Sequence, residues 1–499
     1  MSSLQNSFVP DVEIALKASP AKVSVLPGEP TQVWKYSGTV LRGDPRCLQE
    51  LPGSYLGPTI RLRKGQKVRI RYTNDLPEYS IIHWHGLHVP AAMDGHPRDV
   101  IAPGESFVYE FEVINRAGTY WYHPHSHNQT GPQVYRGLTG LLIIEDEEEQ
   151  RLGLPSGAYE LPLVLQDRKV NEDNQLVYLG GSMMAGMMEG MNGFLGDRIL
   201  VNGRPNATLN VATRAYRLRL LNGSNSRIYK LAWSDGTPLT VIGTDGGLLE
   251  KPVERGYVTL APAERIEIFV DFSKYPLSTR LELRSLEFSG AAAGTMSGMG
   301  MMGGMMGAST SLPNGAAFSV LKFAVTREEK ERFVLPATLT PITRYRLGDA
   351  VNAKTRRFAV SMGHMIWLLN GRTFKMNEVA AGESVRLDTL ELWEFINKPQ
   401  AGMGGMGMMG NMAIAHPLHV HGKQFQVLER RMNPAFAAQS KSLREGFVDE
   451  GWKDTVLVLP GESVKLLMRF EKYPGLFLYH CHNLEHEDRG MMRNFQIRE

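Results

Sequence analysis

The chain has 499 residues, more than one hydrophobic core can organise, so about three domains are expected. Its 55 basic and 52 acidic residues nearly cancel, which gives no reason to expect nucleic acid or an anionic membrane as partner. No run approaches the ~18 apolar residues of a membrane span, and two cysteines, Cys47 and Cys481, are too few for a disulfide framework.

The opening MSSLQNSFVP lacks a charged and then apolar leader, so either the protein is cytoplasmic or a signal has been removed. Downstream, KVRIRYTN, SFVYEFEV, AYRLRLLN, ERIEIFVDF and SVKLLMRF alternate apolar and polar residues, the pattern of half-buried strands. Helical periodicity is scarce. The class is all-β, with sandwiches or Greek-key barrels.

Two signatures recur three times. Extended runs end in Asn74, Asn222 and Asn397, and each unit then carries a variant of one motif: APGESFVYEF, APAERIEIFV and LPGESVKLLMRF. The repeat predicts three homologous domains, at 1–150, 151–335 and 336–499. Boundaries fall after the acidic run EDEEE and around VLPATLTP. Cys47 reads as a lone structural or surface thiol.

The outer units share more. Each carries an H-x-H pair early, His83/His85 and His419/His421, and another late, His123/His125 and His480/His482. The middle unit has no histidine and reads as a spacer. On a strand, residues i and i+2 share a face, so both imidazoles of a pair can reach one metal cluster. Cys481 points away from its neighbours His480 and His482. With His416, His486 and Met491 it makes one thiolate, two imidazoles and a weak axial thioether, the donor set of a blue-copper site. A structural zinc would not explain the remaining histidine pairs. His96 and His364 stand alone and read as satisfied core or surface residues.

HWHG, WYHPHSH, HPLHVHG and HCHNLEHEDRGMM resemble the four copper signatures of the multicopper oxidases, a family that includes laccases, bacterial cuprous oxidases and ferroxidases. The resemblance covers essentially the whole chain. It implies three cupredoxin-like domains and four copper ions. His83 and His419 would hold the type 2 copper. His85, His123, His125, His421, His480 and His482 would hold the type 3 pair. Cys481, His416 and His486 would hold the type 1 copper, with Met491 axial. A thioether there implies a lower potential than in fungal laccases with a non-coordinating axial residue. His88 and His127 lie outside the pattern. Acids at positions matching Asp94 and Glu487 feed protons to the cluster in related oxidases; the plain alternative for Asp94 is a turn former before Gly95.

Three tracts concentrate the methionines: 183–191, 296–306 and 403–412. Soft thioethers select Cu(I). Met403, Met406, Met408, Met409 and Met412 lie just before His416 and are candidates for a substrate-metal site. Unlike the tracts of related cuprous oxidases, this one has no Asp or Glu. The alternative is a flexible lid or filler, and for the first tract a plain core helix. The expected function is oxidation of Cu(I) or another low-valent metal ion, such as Fe(II) or Mn(II), with phenols and aromatic amines as further donors and dioxygen as acceptor. A laccase whose tracts only shield the site is the second reading, and a non-catalytic copper carrier the third. The resemblance also suggests a periplasmic or secreted protein, and a monomer is expected.

Overall fold

A computed structural model describes residues 8–179, 183–293, 312–331, 333–350, 355–363, 365–398 and 413–499. The methionine tracts 296–306 and 403–412 and His364 lie outside the described residues.

Among the described residues, six large sheets form three pairs along the chain. The first pair joins a four-stranded sheet to a five-stranded one, the second a seven- to a five-stranded, and the third two five-stranded sheets. Each pair encloses its own apolar core, around Ile70 and Trp84, Leu218 and Leu231, and Trp393 and Phe495. In each, one strand runs parallel to a neighbour that is not next in sequence: Lys67–Asn74 beside Val12–Val23, Ala215–Asn222 beside Glu160–Arg168, and Thr389–Asn397 beside Arg356–Gly363. Parallel neighbours need a crossover, which these sandwiches supply by passing the chain between sheets. The fold is all-β, with three cupredoxin-like domains. Among the described residues no helix is long and apolar enough to cross a membrane.

The repeated asparagines have a common job. Asn74 Nδ2 donates to the carbonyls of Glu78 and Ile101, Asn222 to Arg227 and Leu260, and Asn397 to Ile414 and Val458. Ile101, Leu260 and Val458 each stand two residues before the proline of the second signature. One buried amide thus ties the two signatures together in every domain, because carbonyls removed from water need a donor.

The strand Ala215–Asn222 departs from expectation. Its alternation predicts one wet face, yet all eight residues are buried. Arg217 and Arg219 face Glu149, Glu160 and Glu267, carboxylates drawn from both sides of the boundary expected near residue 150. Polar alternation here marks an interface with charge partners rather than solvent. Cys47 packs in the first core, where burial pushes its thiol up.

Candidate metal centre

Strand pairing builds the site. Ile82–His85 lies antiparallel to Gly118–Pro124 with His83 opposite His123. His416–Val420 lies antiparallel to Gly475–Cys481 with His419 opposite His480. The two ribbons then meet face to face. The ring of His83 stacks on His421 and that of His85 on His419, each with centroids 3.7 Å apart. All eight paired histidines are buried.

Their donor atoms converge in three groups, the first two sharing His85: His83, His85 and His419; His85, His123 and His482; His125, His421 and His480. Imidazole nitrogens face one another at 3.4 Å (His85 Nδ1 to His123 Nε2), 3.3 Å (His125 Nε2 to His480 Nε2) and 3.0 Å (His421 Nε2 to His480 Nε2). The far nitrogens are pinned by oxygens that can only accept. His83 Nδ1 donates to the Asp94 carbonyl at 2.7 Å, His419 Nδ1 to the Asp454 carbonyl at 2.8 Å, and His123 Nδ1 to the Pro124 carbonyl at 2.8 Å. Such bonds fix the tautomer and leave the other nitrogen's lone pair aimed inward. His83 Nε2, His419 Nε2 and both nitrogens of His482 have no hydrogen-bond partner among the described residues. Burial holds these imidazoles below their ordinary range, His123 down to about 3, so they are neutral and able to ligate.

A second group lies on the other side of the Gly475–Cys481 strand. Cys481 Sγ is 3.4 Å from His416 Nδ1 and 3.6 Å from His486 Nδ1. Met491 is buried in the same apolar cluster, and its carbonyl accepts from the Cys481 N–H. Burial pushes the Cys481 thiol well up, a state that a bound cation reverses. The opposed sides of Cys481 and its histidine neighbours are as the strand geometry predicts.

The first-tract helix, Met183–Asn192, seals this group. The Met191 carbonyl accepts from His486 Nε2 at 2.9 Å and from Trp367 Nε1 at 2.8 Å, and Trp367 lies edge-on to His416. His416 and His486 are therefore almost without solvent contact. Helix Leu484–Asp488 carries His486 and Glu487, and Arg489 behind it donates to the carbonyls of Gly186 and Met187, both at 3.2 Å.

Both candidate acids adjoin the cluster. Asp94 Oδ2 accepts from His421 Nδ1 at 2.7 Å, and burial raises its carboxyl well above the ordinary range. A turn role accounts for less than this, since the side chain is fully buried against two histidines. Glu487 lies 3.1 Å from His480 Nδ1 and 3.5 Å from His125 Nε2 without an aligned hydrogen bond. His88 contacts Lys423 at 2.8 Å, His127 packs on Phe374, and His96 bonds Asn494 and the backbone of Arg98; none joins the ligand groups. Sequence reasoning missed Asp454, Thr455, Trp367, Arg265 and the Met191 carbonyl. Only Arg265 left a trace, standing where the other two signatures have Ser106 and Ser463.

The inward-facing lone pairs and the sulfur-plus-imidazole set fit copper. Residues 23–149 and 341–499 match two sequence profiles described as multicopper oxidase. A multicopper oxidase of Staphylococcus haemolyticus is 32% identical over 89% of this chain and 83% of its own length. A laccase of Bacillus stratosphericus is 30% identical over 94% of this chain and 91% of its own. The crystal structure of the McoA multicopper oxidase from Aquifex aeolicus superposes with a TM-score of 0.79 at 33% identity, covering 99% of this chain and 97% of that one. A relative at that identity over nearly the whole length, together with the buried donor sets, makes this chain a member of the multicopper oxidase family of copper-dependent oxidoreductases.

Proposed function

We propose that the protein takes single electrons from Cu(I), or from other low-valent metal ions such as Fe(II) or Mn(II), and uses them to reduce dioxygen to water. Cys481, His416, His486 and Met491 would hold a type 1 copper. His83 and His419 hold a type 2 copper. His85, His123 and His482, with His125, His421 and His480, hold a type 3 pair. Bound there, copper supplies the one-electron chemistry and the site of dioxygen reduction. The chain supplies the rest. His480 and His482 flank Cys481, so one strand carries ligands of both centres and electrons need cross only a short covalent path. Asp94 and Glu487 stand against ligating imidazoles, placed to move protons to the cluster. The domains divide near residues 150 and 335. The protein acts as a monomer, periplasmic or secreted, where copper is handled outside the cytoplasm.

The observation that carries the donor assignment is the seal over His486. Its outer nitrogen is taken by the Met191 carbonyl, so a phenol has no imidazole edge to touch. A thioether-bound ion on the methionine tract that precedes His416 in the sequence needs no such opening. The similarity to a laccase keeps phenols and aromatic amines as secondary donors.

Oxygen uptake by copper-loaded protein, with Cu(I) and with 2,6-dimethoxyphenol, tests this in wild type and in a variant lacking residues 403–412. Fast Cu(I) turnover that falls on deletion, while phenol turnover rises, supports a metal oxidase. Poor Cu(I) turnover with unchanged phenol activity assigns the enzyme as a laccase.

A further inference from the structure

The middle domain contributes no histidine to the cluster, yet it reaches it. Arg265, first residue of the strand Arg265–Asp271, is fully buried and uses all five of its N–H donors. Nε donates to the Thr119 carbonyl at 3.0 Å, on the first-domain strand that carries His123. Nη1 donates to the Ala263 carbonyl and to Asp454 Oδ1, both at 2.8 Å. Nη2 donates to the Asp245 carbonyl at 3.0 Å and to Asp454 Oδ2. Asp454 belongs to the third domain and touches two histidines. Its Oδ1 accepts from His85 Nε2 at 3.1 Å, and its backbone carbonyl accepts from His419 Nδ1.

We propose that Arg265 is a positioning residue of the middle domain, which, by clamping Asp454, sets the orientation of His85 and His419 and so the geometry of the trinuclear copper cluster. The inference rests on the ligand assignment above. Four features support it. Bidentate pairing to a planar fork fixes a carboxylate in both distance and plane. His85 turns Nδ1 rather than Nε2 towards its partners, so its outer nitrogen depends on a carboxylate placed as Asp454 is. Gly86, directly after His85, leaves room for the clamp: a Cβ there would lie 2.5 Å from Asp454 Oδ2 and 3.0 Å from Arg265 Nη2. Finally, the signature that reads Glu-Ser in both histidine-bearing domains reads Glu264-Arg265 in the domain without them.

A carboxylate behind a metal-bound imidazole is worth about 10–100-fold in metal retention. The variants are Asp454→Asn, Arg265→Gln and the conservative Arg265→Lys, each loaded with copper. Readouts are copper per chain after graded chelation, the EPR signals of type 1 and type 2 copper measured in the same sample, and the melting temperature of the copper-free protein. Asp454→Asn is expected to fold, keep its blue type 1 signal, lose cluster copper about 10–100-fold more readily and show an altered type 2 signal. Arg265→Gln should behave likewise, with Arg265→Lys between it and wild type. Unchanged cluster retention and an unchanged type 2 signal in Asp454→Asn would overturn the proposal. So would loss of both copper signals in proportion to a lowered melting temperature, which is general destabilisation. His85→Ala serves as control: if it too leaves cluster copper intact, the ligand assignment itself has failed.

Discussion

Replacing Gly190 with alanine tests whether the Met183–Asn192 helix governs access to the type 1 site. Inside a helix this change ordinarily stabilises by about 1 kcal/mol. Here a Cβ would fall 1.9 Å from Arg489 Nη2 and 2.0 Å from its Cζ, so the guanidinium must leave. It then gives up its bonds to the carbonyls of Gly186 and Met187. Charge-assisted bonds are worth about 1.5–3 kcal/mol each, and partial exposure of Arg489 puts these at the low end, about 3 kcal/mol together. Less the helix-propensity gain, docking weakens by about 2 kcal/mol, which raises the undocked population about 30-fold.

Undocking removes the Met191 carbonyl from His486 and uncovers an imidazole edge. The expected outcome is a higher kcat/KM for 2,6-dimethoxyphenol, an unchanged or lower one for Cu(I), and a modestly lower melting temperature. Arg489→Ala should reproduce the shift without the added methyl. If Gly190→Ala instead raises the melting temperature and leaves the phenol-to-Cu(I) ratio untouched, the helix is not a barrier and the reasoning is wrong.

Three further outcomes follow from single residues. Asp94→Asn keeps an acceptor for His421 and should leave copper content and anaerobic reduction of the blue site intact while turnover falls about 100-fold; an equal loss in anaerobic reduction would place Asp94 in electron entry instead. Met491→Leu conserves volume, costing less than about 1.5 kcal/mol, and should retain the blue colour but raise the type 1 potential in a redox titration; an unchanged potential would remove Met491 from the ligand set. For Glu160, burial works against ionisation, but Arg219, Arg217 and Arg61 together hold its carboxyl down to about 2. Because the folded value lies below the ordinary one, its stabilisation, about 3 kcal/mol, is complete above pH ~4.5 and is lost as pH falls towards ~2. Glu160→Gln should therefore be less stable than wild type at neutral pH, with the two denaturation curves converging near pH 2; parallel curves across that range would refute the assignment.

The converging histidine groups were legible because strand geometry converts spacing directly into direction. An H-x-H pair on a strand must present both imidazoles to one side and anything between them to the other, which is how Cys481 and its neighbours are arranged. The repeated asparagines were legible as a pattern but not as a cause: that Asn74, Asn222 and Asn397 each feed the turn of the second signature appears only once the carbonyls of Ile101, Leu260 and Val458 are seen to face them. Arg217 and Arg219 misled, since alternation cannot tell water from a facing carboxylate. The Met191 carbonyl had no signal at all, because every residue has one and only tertiary packing decides where it points.

The middle domain shows how far such reading extends. Lacking histidine, it looked like a spacer, and two of its contributions are indirect: a helix whose Met191 carbonyl takes the outer nitrogen of His486 and an arginine whose fork holds Asp454 beside His85. Neither is a ligand, so neither belongs to a metal motif. Yet ligands from two separate domains cannot hold a shared geometry unless something fixes the domains against each other at that point. Arg265 touches the first domain through Thr119 and the third through Asp454 in the same side chain. Arg265, where the second signature departs from the serine of both outer domains, therefore stands where the repeat's symmetry would leave the cluster unsupported.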